Sequence, residues 1–411
     1  MNCDPDEQGQ VEALLQAEGF ECRSSPLQAT CRSLTKEPFP LGSSLAARFG
    51  LIYIQDKSSL LPPLALNPRP GEAVLDLCAS PGSKAGLIAS LVGPHGLVLA
   101  NEPGAKRLQT LRRNLELLNL LQVCTANYSG QHFPFPKFDF DMILLDVPCS
   151  GWGTAEKHPR VTRIWREEKL APLIALQRQL LTRAAELLAP GGRLVYSTCT
   201  TNRAENEEQI AWARQWTGLR CVRLFPLKGC YFLDTDQDCA PGSLLVDGPA
   251  SGGQSFFLAC LGKPGASSAA AAKTGAAGAP AGGPLVAADT EPQPEWSRLP
   301  AGEMRVESGR AVFQPLEASR RLAGKLTWRG LNMGKMSGER LLPSPHQRLL
   351  LPKGAATEGF QVEDTAPLRQ LLSGQSLRAD CRAKRLGLYW RGLPLGWLTV
   401  KGRRLLWSGR S

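Results

Sequence analysis

With 411 residues, 43% of them hydrophobic, the chain is long enough to bury a substantial core and is expected to hold two or three domains. Its net charge of +11 and pI of about 9.2 favour a polyanionic partner. No run of about 18 apolar residues and no basic-then-apolar leader occurs, which argues against secretion and membrane spanning and for a cytoplasmic protein.

The 12 cysteines contain no CxxC pair, and with 4 histidines they offer no zinc pattern, so no metal is expected. Most should be small packing residues, among them Cys124, Cys221, Cys230, Cys239 and Cys260.

In chain order, one helix is expected over Gln10 to Ala17, then irregular or short-strand sequence up to Leu41. Residues 51–66 predict a short strand and an apolar helix interrupted by Pro62-Pro63. From 71 to 200, apolar runs alternate with amphipathic segments. Strands are predicted at Ala73 to Leu77, Leu97 to Ala100, Val123 to Ala126, Asp141 to Leu145 and Arg193 to Ser197, with helices at Lys84 to Leu91, Ala105 to Leu118 and Leu170 to Leu188. In the last helix Leu173, Leu176, Leu180 and Leu187 share a face, and Pro190-Gly191-Gly192 should stop it. This alternation implies an α/β, Rossmann-like, doubly wound parallel sheet with its ligand site at the carboxyl ends of the strands.

A helix over Arg203 to Trp216 and antiparallel strands at Cys221 to Leu224, Cys230 to Leu233 and Ser255 to Cys260 should close the domain. Lys263 to Pro294, rich in Ala, Gly and Pro, reads as a flexible linker. The remainder has Gly turns, aromatic residues and Arg or Lys, as in LGLYWRGLPLGW at 386–397, and predicts a small β-rich module suited to RNA. The expected division is therefore 1–50, 51–262, 263–295 and 296–411.

Two apolar runs end in cysteine motifs: MILLDVPCSG at 142–151, carrying Asp146 and Cys149, and RLVYSTCT at 193–200, carrying Cys199. The first strand runs into the small-residue loop Cys78, Ala79, Ser80, Pro81, Gly82, Ser83 and Lys84, where backbone N–H groups can approach a ligand at a helix start. Glu102 ends the next strand, where a carboxylate can accept both hydroxyls of a ribose. An adenosine-type cofactor follows. Without GxGxxG or GxxxxGK[ST], S-adenosylmethionine fits better than NAD or a hydrolysable nucleotide.

Paired thiols beside such a site fit one chemistry in particular. Carbon 5 of a pyrimidine is a poor nucleophile until a thiolate adds at carbon 6, and a second thiol can assist release. Asp146 is placed to hold an exocyclic or cofactor amine. Chemistry alone does not rank the two cysteines. Lys157, His158 and Arg160, just beyond Cys149, are candidates for RNA backbone contact.

At YIQDKSS (53–59), DLCASPGSK (76–84), LLDVPCSGWG (144–153) and GGRLVYSTCTTNRAENE (191–207) the sequence resembles the Sun-domain (NOL/NOP/Sun, Fmu) family of RNA cytosine-5 methyltransferases, closest to its methyltransferase F branch. LTWRGLNMGKM, LLPSPHQRLLL and LYWRGLPLGW resemble that branch's PUA-like RNA-binding tail.

The resemblance implies a class I S-adenosylmethionine-dependent methyltransferase making 5-methylcytosine in ribosomal RNA or a small-subunit particle, as a monomer without membrane or metal. It implies that Cys199 is the nucleophile, Cys149 helps release product, Cys78 to Lys84 line the methionine side of the cofactor, Glu102 binds its ribose and Asp146 lies beside the methyl donor. Where the family has an acid near the adenine, this chain reads Asn127-Tyr128-Ser129-Gly130, so Ser129 is expected to take that contact without charge assistance. The Arg-Val-Asn-Thr-Leu pattern of the N-terminal RNA-contacting segment is missing, so residues 1–50 are expected to be a shortened form of it. The alternative reading is a non-catalytic RNA-binding ribosome-assembly factor on the same fold.

Overall fold

A computed structural model describes residues 1–135, 140–154, 168, 170–265, 287–353 and 358–409. Its centre is a parallel sheet ordered Val123–Ala126, Leu97–Asn101, Ala73–Asp76, Phe140–Asp146 and Leu188–Thr198. The first three of these are buried at every residue, as a sheet covered on both faces requires. Phe256–Gly262 continues the sheet antiparallel to Leu188–Thr198, followed by Leu244–Val246 and Phe232–Leu233, while Arg220–Val222 also pairs with Phe256–Gly262. Strand order reverses between Ala73–Asp76 and Phe140–Asp146, and the crevice at that switch point holds the site.

The helices come from simple periodicities. In Ala105–Leu118, residues Leu108, Leu111, Leu115 and Leu118 are buried at helical spacing, and Asn119 ends it in the left-handed conformation at φ 56°. Leu170–Leu187 buries Leu180, Leu181, Ala184 and Leu187, but Leu173 and Leu176 are only half-buried. Gln177 takes the buried place instead, for reasons given below.

Four local expectations are corrected. No strand forms in residues 51–66, and Pro62 and Pro63 begin the helix Leu61–Leu66, at positions where a missing N–H costs little. Pro190-Gly191-Gly192 lies inside a strand: Gly191 N–H donates to Lys263 O (2.9 Å) and Lys263 N–H to Gly192 O (3.1 Å). The helix expected from Arg203 starts only at Glu207, because Asn206 is bent out at φ −115°, ψ −98°. The linker expected through 295 ends earlier, since Ala287–Ala288 pairs with the strand Arg340–Pro343 and Thr290–Glu291 with Arg385–Trp390. Residues 266–286 of that stretch, with Lys157, His158 and Arg160, lie outside the described residues.

The tail is β-rich, built from a five-stranded and a six-stranded sheet. Its strand Trp328–Arg329 leaves both and pairs antiparallel with Val123–Ala126, at the edge of the central sheet. The N-terminal segment shares the tail's core: Val11, Leu14, Phe20 and Phe49 pack with Leu388, Trp390, Leu395 and Leu405. Charge reinforces the union, for buried Glu7 lies 3.7 Å from both Arg298 and Arg348, and Lys353 pairs with Asp4 at 2.6 Å. Among the described residues no helix is long and apolar enough to cross a membrane, and no cluster of His, Cys, Asp or Glu can hold a metal.

Leu14 is fully buried in the shared core. Leu14→Ala should therefore cost about 2–5 kcal/mol. Hydrogen exchange should then show protection falling together in Gln8–Ala17 and Arg385–Trp390 while Leu97–Asn101 keeps its own. Loss confined to the first helix would show that the two segments do not fold as one unit.

Candidate active site

Parallel strands deliver their last residues to one edge, so Asp76, Glu102, Asp146 and Cys199 meet there from four separate strand ends. After Asp76 the chain turns through 78–82 into the helix Ser83–Val92. Gly82 makes the turn at φ 111°, and a Cβ there would meet Leu111 at 2.9 Å. Ser80 OH donates to Arg107 O (3.0 Å) and Asn114 donates to Pro81 O (2.8 Å), which pins the loop to the next helix.

Asn101 sets the adjoining rim. Its amide donates to Leu77 O (3.1 Å) and Tyr128 O (2.9 Å) and accepts the Tyr128 N–H (3.0 Å), so the loops carrying residues 78–84, Glu102 and Ser129 are tied together. Glu102 is buried. Its carboxylate accepts the Gly104 N–H (2.8 Å) and faces Arg107 at 3.2 Å.

A second group is electrostatic. Lys84 Nζ pairs with Asp146 Oδ2 at 2.7 Å and lies 5.3 Å from the centre of the Phe256 ring. Burial alone would lower the Lys84 pKa, but the Asp146 carboxylate reverses this and holds the ammonium charged. Ser197 OH donates to the other oxygen of Asp146 (2.8 Å). Asp76 is 1% exposed, and neither of its carboxylate oxygens has a hydrogen-bond partner. Burial first and Asp146 second raise its pKa to about 7. Burial pushes the Cys78 thiol up, which leaves that side chain a packing role.

The third group is the pair of thiols. Cys149 Sγ and Cys199 Sγ are 3.2 Å apart, within hydrogen-bonding reach. The two ends are not equivalent. A hydrogen bond from Cys149 lowers the Cys199 pKa against burial and the Asp146 charge, with help from Lys84, whereas the same bond and burial raise Cys149 well above the usual thiol range. The pair therefore favours the thiolate at Cys199 over Cys149.

Sequence reading missed the frame that holds these thiols. Buried Glu205 accepts the Ser150 N–H (2.9 Å), the Ser150 hydroxyl and a Gln177 N–H (3.0 Å). Gln177 also donates to Pro148 O (3.0 Å), which is why it displaces leucine from the buried face of its helix. Asn206 accepts the Thr198 hydroxyl (2.6 Å) and donates to Thr200 O (3.0 Å). Gly153 N–H donates to Cys199 O (3.0 Å), and a Cβ at Gly153 would strike Ser255 O and Cys199 O. The motif NRAENE contains Glu205 and Asn206, so their position was visible in the sequence, but their partners at 150, 177, 198 and 200 were not.

The fold and this edge define a Rossmann-like methyltransferase domain. The family described as 16S rRNA methyltransferase RsmB/F matches residues 63–235. Proteins named ribosomal RNA small subunit methyltransferase F from Salmonella heidelberg and Salmonella paratyphi A are 40% identical over 233 residues, or 56% of this chain and 48% of theirs, so the chain spans about half the length of these curated relatives. A solved methyltransferase homologue from Pyrococcus horikoshii is 32% identical with a TM-score of 0.53, covering 62% of this chain and 82% of that one. The chain belongs to the RsmB/F methyltransferase family.

The inequality of the two thiols is measurable by alkylation with iodoacetamide. The pH at which Cys199 becomes half-reactive should lie below the ordinary thiol value of 9.0 in the intact protein and rise in Cys149→Ala, because the donor to the thiolate is gone. An unchanged profile would show that Cys149 does not hold the proton.

Proposed function

We propose that the protein methylates carbon 5 of a cytosine in RNA, in 16S ribosomal RNA of the small subunit, using S-adenosylmethionine. One observation carries the reading: two thiols 3.2 Å apart beyond adjoining strand ends, the Cys199 pKa lowered and the Cys149 pKa raised, beside an acid-lined loop. The names of the curated relatives and the +11 charge support RNA as substrate, and twelve free cysteines fit a reducing cytoplasm.

The residues fit the cofactor. Asp76, buried with two unpartnered carboxylate oxygens at the start of the loop, is suited to the ammonium of an amino acid. Residues 78–84 offer backbone N–H groups and small side chains, Glu102 would hold the ribose hydroxyls, and Ser129 at the third strand end would take the adenine amine. When bound, S-adenosylmethionine supplies an electrophilic methyl group.

This chain's own side chains then do the rest. The Cys199 thiolate forms a bond to carbon 6 of the cytosine, which raises electron density at carbon 5. Asp146, fixed by Lys84 and Ser197, holds the exocyclic amine. After methylation the carbon-5 proton passes to solvent, its bonding pair restores the carbon 5–carbon 6 double bond, and the bond between Cys199 Sγ and carbon 6 breaks with its electron pair returning to Cys199 as a thiolate, which the Cys149 S–H stabilises by a hydrogen bond.

Cys199→Ala should lower methyl transfer to RNA by roughly 10³-fold or more, read with a tritiated methyl group. Cys149→Ala should instead accumulate protein covalently joined to RNA on a denaturing gel. Calorimetry with S-adenosylmethionine separates enzyme from assembly factor, since undetectable binding by the intact protein would support the non-catalytic alternative.

A further inference from the structure

The strand Trp328–Arg329 joins the tail to the central sheet through Trp328 opposite Ala126 and Arg329 opposite Thr125. Beside that seam lies a groove of about 540 Å³. Arg112 enters it from the central domain, Arg310 and Arg329 from the tail, and Asn127, Tyr128 and Trp328 line it between them.

The charges in this groove are poorly balanced. Arg112 spends its Nε on Thr125 Oγ1 (2.9 Å), and among the described residues no carboxylate forms an ion pair with Arg112, Arg310 or Arg329 within 4.0 Å. Glu116 acts on all three arginines only electrostatically, and burial raises its pKa toward the neutral acid. The groove's own acid, Glu307, accepts a hydrogen bond from Gln314 (3.0 Å). Three convergent guanidiniums without carboxylate partners make a site for phosphate oxygens.

The shape favours a polymer over a small anion. The groove lies along a seam between two domains, and two half-buried aromatic residues, Tyr128 and Trp328, flank the arginines. That combination suits a sugar-phosphate backbone with bases beside it. It also adjoins the cofactor rim: Asn127 donates to Glu102 O (2.7 Å), and Tyr128 OH accepts the Thr327 N–H (2.8 Å).

We propose that this groove binds the phosphodiester backbone of the RNA substrate away from the reacting nucleotide, with Arg112, Arg310 and Arg329 as phosphate ligands. The proposal rests on the reading of the protein as an RNA methyltransferase and adds to it a place for the strand. The tail then acts on substrate affinity by completing a groove begun by the central domain.

The full-length chain tests this with Arg310→Gln, Arg329→Gln and the double variant, titrated with a single-stranded RNA oligomer across a range of KCl. Each lost phosphate contact should reduce the slope of log K against log salt by about 0.7. The double variant should bind at least tenfold more weakly at low salt, while its affinity for S-adenosylmethionine stays unchanged. Arg403→Gln, which removes an exposed tail arginine paired with Asp380, should leave the slope unchanged. An unaltered slope in the double variant, or an equal drop in Arg403→Gln, overturns the proposal. So does full displacement of RNA by low inorganic pyrophosphate, which would make the groove a small-anion site. The assay does not depend on methyl transfer. Intact protein that binds RNA with the predicted slope but never methylates it would sink the enzymatic reading alone, whereas variants with normal slope and normal methylation would sink the groove alone.

Discussion

The buried carboxylate of Glu205 is the constraint on which the thiol pair depends. It collects three donors, two from Ser150 and one from Gln177, and Gln177 in turn holds Pro148 O. Each of those donors left unpaired inside the protein would cost about 1–3 kcal/mol. The residues on either side of Cys149 are therefore fixed from below, while Asn206 fixes those on either side of Cys199 through Thr198 and Thr200. A separation of 3.2 Å between two sulfurs that lie just past the ends of different strands is the product of that frame. Neither thiol has to be held by the other.

Around the frame, a hydrogen bond and opposing charges bias which sulfur ionises. Asp146 opposes a thiolate at Cys199, and Lys84 favours one. The hydrogen bond from Cys149 is the largest influence on that sulfur, ahead of burial, the Asp146 charge and the opposing charge of Lys84, which pairs with Asp146 at 2.7 Å. Asp76 completes the set from the other side. With burial holding its pKa near 7, it stands ready to bind a cation at little further desolvation cost.

Much of this was legible in the sequence because parallel strands announce themselves by apolar runs, and the residue that ends each run is delivered to one edge. Asp146, Cys149, Cys199, Glu102 and residues 78–84 were found by that rule. Gln177 and Glu205 were not, since polar side chains within helical or turn sequence look solvated until their partners are known. The same limit hid the shared core of residues 1–50 with the tail and the pairing of Trp328 with Ala126, both made across hundreds of residues without a local signal. The misread Pro62-Pro63 is different, for there the local rule was available: proline opens a helix as readily as it interrupts one.

The long-range pairings also change what the tail is. A module attached only through the Ala/Gly/Pro-rich stretch would raise the local RNA concentration and nothing more. This tail adds a strand to the central sheet, capping the edge at Val123–Ala126 that would otherwise present unpaired backbone groups. That strand ends next to Thr125, Asn127 and Tyr128, which adjoin Glu102 and Ser129. RNA held along the seam would thus press on the loops that carry Glu102 and Ser129. Asn101 and Asn127 make hydrogen bonds that join those loops, so a change at the seam has a direct mechanical route to both.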